Sequence, residues 1–254
     1  MGVMAAGAAD AQVMRSLREA MFGKQASDGR GNNHTPVVAH FVSARGEGFV
    51  LDESQAGVPL LRFDGDDEVF QLTAKPGANG DVIFSNDVGQ PVLKATRLGG
   101  MILFAGAHAD VGDAAAVTGQ ASAFAPDRLT LTELTLQMTR LSVRVTHACD
   151  HLFIFSADAQ ADDKGGDSAL PLFAETVSVA ADALLQVASQ ADSRHSLDKL
   201  HEVYLMEGRP PGAHIEKGVL IIKLDPSKGT WGGHPSSKRI MNVVMAGADS
   251  EIRR

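Results

Sequence analysis

The first half of the chain consists of short apolar runs separated by turn residues, which is the pattern of consecutive antiparallel strands. Residue pairs that can adopt the positive φ angles of tight turns separate several runs, namely Asp64-Gly65, Asn79-Gly80 and Gly99-Gly100. The pattern predicts a β-meander that forms a small sandwich or barrel, followed by a crossover loop over 105–127. The predicted strands cover 37–42, 48–51, 58–63, 68–73, 81–85, 91–97 and 101–104.

Apolar residues in the second half recur mainly at helical spacing. Residues 134–138 also alternate as in a strand, but the helical period covers more of the segment 129–152. Thr130 and Glu133 match a capping box, which satisfies the first backbone donors of a helix, so we predict a helix here. A clearer amphipathic helix is predicted over 172–191.

The end of the chain is predicted to add one helix and two strands. The helix begins near Ser196 and ends at Gly208, which precedes two prolines. The apolar runs 219–224 and 238–245 predict a β-hairpin joined by a Gly-rich loop over 225–237.

These elements predict an α+β protein. Its β-rich part covers 36–105, and its helical part with the C-terminal hairpin covers 128–254. We expect the two to form a single unit over 12–254, with the polar stretch 157–168 as a solvated linker. A short amphipathic helix is predicted over 13–22, ahead of the first strand.

Charge and composition narrow the range of partners. The 254 residues include 31 acidic and 23 basic side chains, and the net charge of −8 repels nucleic-acid phosphates and anionic lipid surfaces. No uncharged apolar run approaches the ~20 residues of a membrane-spanning helix, which predicts a soluble protein without a transmembrane segment. Cys149 is the only cysteine, so no disulfide can form within the chain. We therefore expect no nucleic acid, which leaves a protein or a small molecule as the partner.

The extreme N-terminus has the composition of the end of a secretion signal. Small apolar residues lead to Ala9-Asp10-Ala11, a triplet of the kind that a signal peptidase recognises. We interpret 1–11 as a signal-peptide remnant, so that the mature protein begins at Gln12 and is periplasmic or otherwise exported. A basic region and most of the apolar region of a signal are missing, so this hypothesis requires an upstream start codon. The alternative is that an Ala-rich stretch imitates a cleavage site.

His147 and His151 are candidate metal ligands, because residues four apart on a helix can place two imidazoles on one face. Cys149 or Asp150 would supply a third ligand. Ala148 occupies the position of the catalytic glutamate in a zincin, so the base of that motif is missing. The alternative is that both histidines interact with the negative end of the helix dipole, and we expect neither stoichiometric zinc nor another cofactor.

The Gly-rich loop near the C-terminus is a candidate ligand-binding segment. It carries the only tryptophan, Trp231, together with His234, Lys238 and Arg239. An aromatic surface and clustered donors on a flexible backbone suit a small anionic or sugar-like ligand. The alternative is a long hairpin in which the tryptophan covers the edge of the core and the cations stay solvated.

Two weaker motifs have simpler explanations. The acidic cluster 64–68 suggests calcium, but Val69 occupies the position at which an EF-hand loop requires glycine, so a charged hairpin tip fits better. Ser196 and Lys199 match S-x-x-K without its companion motifs, and a serine helix cap explains this match.

Six segments of the chain carry a family resemblance. They are VPLLRF (58–63), DVIFSND (81–87), PVLKATRLGG (91–100), EGRP (207–210), GVLII (218–222) and PSSKRI (235–240). In these segments the chain resembles a family of uncharacterised exported bacterial proteins. The resemblance implies export and a single α+β unit, and it assigns no catalytic residue.

No motif combines a nucleophile, a base and an orienting group. We therefore predict a non-enzymatic exported protein, periplasmic or envelope-associated, with a structural or binding role. One alternative is a hydrolase or metal-dependent enzyme that uses His147, His151 and the loop from Trp231 to Arg239. Another is a small-ligand binding module that uses this loop without chemistry.

Overall fold

The computed structural model describes residues 36–55, 57–105, 110–159 and 169–252. The chain divides into two compact units, of which unit 1 ends at Phe124 and unit 2 begins at Ala125. The predicted helix over 13–22, the signal-peptide remnant and most of the predicted linker lie outside the described residues.

Unit 1 is a nine-stranded antiparallel sheet in the order β4-β3-β2-β1-β9-β8-β7-β6-β5. The two edge strands follow each other in the chain with only Leu72 between them, so the sheet curls into a nearly closed barrel. The predicted meander is thus confirmed. The strands are β1 (Val38–Ser43), β2 (Gly48–Asp52), β3 (Leu60–Phe63), β4 (Phe70–Gln71), β5 (Thr73–Pro76), β6 (Val82–Ser85), β7 (Pro91–Ala95), β8 (Met101–Leu103) and β9 (Asp113–Gln120).

Alternating side chains of these strands fill the core of unit 1, because successive residues of a strand point to opposite faces. Phe49 and Phe84 are completely buried there, and the ring of Phe49 stacks on that of Phe41 at 5.1 Å. The predicted tight turns are also confirmed. Asn79 and Gly80 have φ angles of 60° and 82° in the short turn Ala78–Gly80 between β5 and β6, where the backbone N–H of Gly77 donates to the carbonyl of Asp81.

The prediction of a crossover loop over 105–127 is wrong for Asp113–Gln120, which form strand β9. This strand is rich in alanine and largely exposed, so its sequence shows neither strand propensity nor apolar alternation. It is nevertheless a strand because it pairs with β1 on one side and β8 on the other. Long-range pairing thus outweighs local preference.

Unit 2 contains a four-stranded sheet in the order β10-β11-β13-β12. The first three strands are parallel, and β12 runs antiparallel to β13. One face of the sheet is buried with the helices in a single apolar core. The elements are α1 (Leu131–Cys149), β10 (Ile154–Ala157), α2 (Leu170–Ser189), β11 (Glu202–Glu207), β12 (Gly212–Glu216), β13 (Val219–Leu224), the short α3 (Gly229–Gly232) and α4 (Ser237–Ile252).

Helices α1 and α2 confirm the two strongest helix predictions. In α1, the hydroxyl of Thr130 accepts from the backbone N–H of Glu133, and the Glu133 carboxylate accepts from the backbone N–H of Thr130. Within the described residues, α2 is the one helix whose length and composition would allow it to cross a membrane, and 67% of that stretch is buried inside the protein.

Two predictions for the end of the chain are wrong. The helix predicted from Ser196 onward is a single 3-10 turn (Arg194–Leu197) followed by strand β11. The segment predicted as a strand over 238–245 belongs to α4, because Ile240 and Val244 are both buried and lie one helical turn apart. Unit 2 does contain a hairpin, but β12 and β13 form it.

Candidate functional site

The carboxyl ends of β11 and β13 lie side by side, because Glu207 of β11 is in register with Leu224 of β13. The chain continues from β11 into Gly208 and Arg209, and from β13 into Asp225. In open sheets with parallel strands, ligands bind beyond these ends of the strands. This edge of unit 2 therefore contains the candidate site.

Asp225 is the buried acidic residue of this edge, with 4% of its surface exposed. Its Oδ1 atom accepts hydrogen bonds from the Ser227 hydroxyl at 2.5 Å and the Ser227 backbone N–H at 3.1 Å. The hydroxyl of Ser227 lowers the pKa of Asp225 most, and its backbone N–H and the charges of Arg209 and Lys228 act in the same direction, against the effect of burial. Asp225 is therefore a stable carboxylate at neutral pH.

Arg209 forms an ion pair with this carboxylate, with 3.0 Å between its Nε atom and Oδ1 of Asp225. Its side chain is otherwise 71% exposed. The contact fixes one side of the planar guanidinium and leaves the terminal nitrogens available to an incoming group. Guanidinium groups bind carboxylates and phosphates through paired, parallel hydrogen bonds.

Two lysines add positive charge beside Arg209. Lys223 is the next-to-last residue of β13, and its aliphatic stem passes within 3.4 Å of the position that a Cβ atom on Gly208 would occupy. Lys228 ends the 3-10 turn after β13 and lies close enough to act on Asp225. The edge thus carries three cationic side chains beside the carboxylates of Asp225 and Glu207, in a chain with a net charge of −8.

The segment after β13 folds into a closed loop over 225–233. The backbone N–H of Asp225 donates to the Gly233 carbonyl at 2.8 Å, and that of Gly233 donates to the Gly229 carbonyl at 3.0 Å. A Cβ atom on Gly233 would lie 2.6 Å from the carbonyl oxygen of Gly229, so only glycine fits. Trp231 is half-buried and lies in this loop, whose backbone begins at Asp225.

The four residues predicted for the ligand loop lie on three consecutive segments. Trp231 belongs to α3, whereas Lys238 and Arg239 belong to the first turn of α4, where Lys238 is exposed and Arg239 is half-buried. His234 lies between the two helices and is buried, with its Nδ1 atom 3.0 Å from the carbonyl oxygen of Pro235. Of the four, Trp231 is the one within the loop that Asp225 closes.

The structure does not place His147 and His151 on one helix face. Helix α1 ends at Cys149, and Asp150 takes a left-handed conformation with φ of 59°, so His151 lies beyond the helix. Its Nδ1 and Nε2 atoms lie 3.1 Å and 2.7 Å from the carbonyl oxygens of Cys149 and Leu200. His147 is exposed on the last turn. Among the described residues, no three His, Cys, Asp or Glu side chains are grouped closely enough to hold a metal ion.

One protein-family model matches a stretch of the chain that includes most of both units. Residues 16–244 match the model of a domain of unknown function, DUF4908. The chain belongs to this family. No curated protein and no solved structure matches it. The family membership is consistent with the resemblance to uncharacterised proteins and leaves the activity to be argued from the site.

Sequence reasoning missed Arg209 and Asp225 as a pair. They are distant in the chain and meet only because β11 and β13 are adjacent parallel strands. Had β11 been predicted as a strand, the polar residues that follow two parallel strands would have pointed to this edge. The predicted helix over the same segment concealed that signal.

Proposed function

We propose that this protein is an exported, periplasmic or envelope-associated binding protein that holds a small anionic ligand at Arg209. The observation that carries the proposal is the ion pair between the exposed Arg209 and the buried Asp225. Such a pair orients a guanidinium in advance, so less side-chain entropy is lost when an anion binds. Lys223 and Lys228 strengthen the positive potential, and Trp231 offers an aromatic surface in the adjoining loop.

The same groups favour binding over chemistry at this site. The hydroxyl of Ser227 donates to Asp225, so it is engaged in shaping the loop rather than placed as a nucleophile. Asp225 accepts two hydrogen bonds and faces a guanidinium, so as a strongly acidic carboxylate it is a poor general base. An arginine supplies charge and orientation without transferring a proton.

Calorimetry of the purified protein at low ionic strength tests the binding proposal. The probes are inorganic phosphate, sulfate and citrate, with glucose as a neutral ligand. We expect saturable binding of at least one anion, with none for glucose. Hydrogen bonds to charged groups contribute about 1.5–3 kcal/mol, so Arg209→Gln should weaken affinity about 10- to 150-fold.

Arg194→Gln is the matched control, because Arg194 also pairs with an aspartate, at 2.6 Å from Asp150, but that partner is 80% exposed. This variant should bind as the unmodified protein does. Arg209→Lys keeps the positive charge but loses the planar guanidinium. Its affinity for the anion should therefore lie between that of the unmodified protein and that of Arg209→Gln. Anion binding that is equal in all variants, or absent from the unmodified protein, would contradict the proposal.

Export is tested separately, because its support comes from the Ala9-Asp10-Ala11 triplet and the family resemblance. The gene is expressed with its upstream region, the cells are fractionated, and the N-terminus of the recovered protein is sequenced. We expect a periplasmic protein that begins at Gln12. Full-length protein confined to the cytoplasm would refute export while leaving the anion site intact.

A further inference from the structure

Three polar side chains on unit 1 form a hydroxyl, imidazole and carboxylate series. The Nδ1 atom of His40 on β1 lies 2.5 Å from the Thr118 hydroxyl on β9, and its Nε2 atom lies 2.9 Å from Oδ2 of Asp64. His40 is 30% exposed and Asp64 55%, and Thr118 is exposed as well. An acyl donor in solution can therefore reach the hydroxyl.

Two local irregularities of the sheet build this series. The register between β1 and β9 shifts after His40, which pairs with Gly119 while Phe41 pairs with Val117, so Thr118 is the extra residue of a β-bulge. Gly48 of β2 lies between His40 and Asp64, and a Cβ atom there would overlap the Asp64 carboxylate. A bulge thus aims the hydroxyl, and a missing side chain lets the carboxylate reach the imidazole.

Hydrogen-bonding capacity determines which way the protons point. An ionised carboxylate only accepts, so Nε2 of His40 carries the proton and donates to Asp64. In the neutral imidazole Nδ1 is then an acceptor, and the hydroxyl of Thr118 donates to it. The other acceptor near that hydroxyl is the carbonyl oxygen of His40, at the longer distance of 3.2 Å. An imidazole held by a carboxylate on one nitrogen can remove a proton from a nucleophilic hydroxyl at the other, here with Nδ1 facing the hydroxyl and Nε2 facing the carboxylate.

We infer that Thr118 is an activated hydroxyl that accepts an acyl group from an activated ester, with His40 as general base and Asp64 as the group that orients it. Oγ1 of Thr118 forms a bond to the carbonyl carbon as the bond from that carbon to the leaving oxygen breaks. The hydroxyl proton passes to Nδ1 of His40 and then to the leaving group. The product is an acyl-threonine and a free alcohol or phenol. This inference is independent of the anion site in unit 2.

The probe is p-nitrophenyl acetate, whose good leaving group favours acylation. Intact mass spectrometry and peptide mapping should find one acetyl ester on Thr118, which hydroxylamine removes. His40→Gln should slow the labelling about 100-fold, which is the lower range of general base catalysis. Gly48→Ala should slow it as well, although it changes none of the three polar residues. Thr118→Ser should still be labelled.

Thr135→Val is the matched control, because the exposed Thr135 hydroxyl bonds only to the carbonyl of Leu131, at 2.9 Å. Its labelling at Thr118 should match that of the unmodified protein. A melting curve for each variant tests whether unit 1 is folded. If His40→Gln or Gly48→Ala unfolds, the labelling of Thr118→Ser, which keeps the hydroxyl, still tests the inference. Acetylation confined to lysines, or labelling of Thr118 at the same rate in His40→Gln, overturns the inference.

Discussion

Replacing Ser142 with alanine and Thr146 with valine should destabilise unit 2, because their hydroxyls satisfy the free edge of strand β10. This strand pairs only with β11, so alternate backbone N–H groups point away from the sheet. The N–H of Phe153 donates to Oγ1 of Thr146, and that of Phe155 donates to Oγ of Ser142, both at 2.9 Å. Two side chains of α1 thus take the place of a neighbouring strand.

The expected size follows from the burial of these donors. Phe153 is 0% exposed, and Phe155 is also buried, so water has little access once the hydroxyls are gone. An unsatisfied buried donor costs about 1–3 kcal/mol, so the double substitution should lower the free energy of unfolding by about 2–6 kcal/mol. For a unit of this size, each kcal/mol corresponds to about 3–5 °C in melting temperature. The assays are thermal unfolding and hydrogen exchange of the two amides.

Thr139→Val with Ser189→Ala is the matched control pair. These hydroxyls bond to carbonyls of their own helices, at 2.9 Å and 2.7 Å, and both residues are exposed. Their loss should change stability by no more than ~0.5 kcal/mol. The explanation is wrong if the Ser142 and Thr146 double variant has the same melting temperature as the control pair. It is also wrong if the amides of Phe153 and Phe155 exchange no faster in the double variant than in the unmodified protein.

Three further predictions concern titration and metal content. Burial raises the pKa of the Cys149 thiol, so a thiol reagent at neutral pH should label it only as fast as unit 2 unfolds, and rapid labelling of the native protein would contradict this. The hydrogen bond from the Ser227 hydroxyl is the largest cause of the lowered pKa of Asp225. The ionised Asp225 therefore stabilises the folded protein above its unfolded pKa of about 4, and this contribution is lost as pH falls through the lower folded value. The difference in melting temperature between the unmodified protein and Asp225→Asn should be constant from about pH 5 to 8 and shrink below about pH 4. Elemental analysis should find no stoichiometric zinc, and zinc that disappears in a His147→Ala, His151→Ala double variant would refute that prediction.

Local signals in the sequence predicted the elements that depend on neighbouring residues. The turn at Asn79-Gly80 follows from backbone conformations that few residues adopt, and the start of α1 from a capping box that Thr130 and Glu133 complete within one turn. Elements that depend on distant partners were missed. Strand β9 has no apolar pattern of its own, and the helical spacing of Leu197, Leu200 and Tyr204 predicts a helix where β11 forms.

The candidate site was harder to predict than the fold for the same reason. Spacing along a helix suggested His147 and His151, but the helix ends between them. Arg209 and Asp225 meet through the register of two parallel strands, and His40 and Thr118, which are 78 residues apart in the chain, meet at a bulge between β1 and β9. Neither pairing has a signature in a short window of sequence. Trp231, a predicted ligand-binding residue, lies in the loop that Asp225 closes, whereas Arg209 comes from another segment of the chain.

The most direct test of the central claim is the side-chain NMR signal of Arg209 in ¹⁵N-labelled protein during titration with the anion that binds most tightly in calorimetry. The claim predicts that the Nε–Hε resonance, assigned by its loss in Arg209→Gln, shifts and saturates with the same affinity that calorimetry gives. The corresponding resonance of Arg194, which pairs with an exposed aspartate, should not move beyond the effect of ionic strength. Saturable anion binding that leaves the Arg209 resonance unmoved would contradict the account.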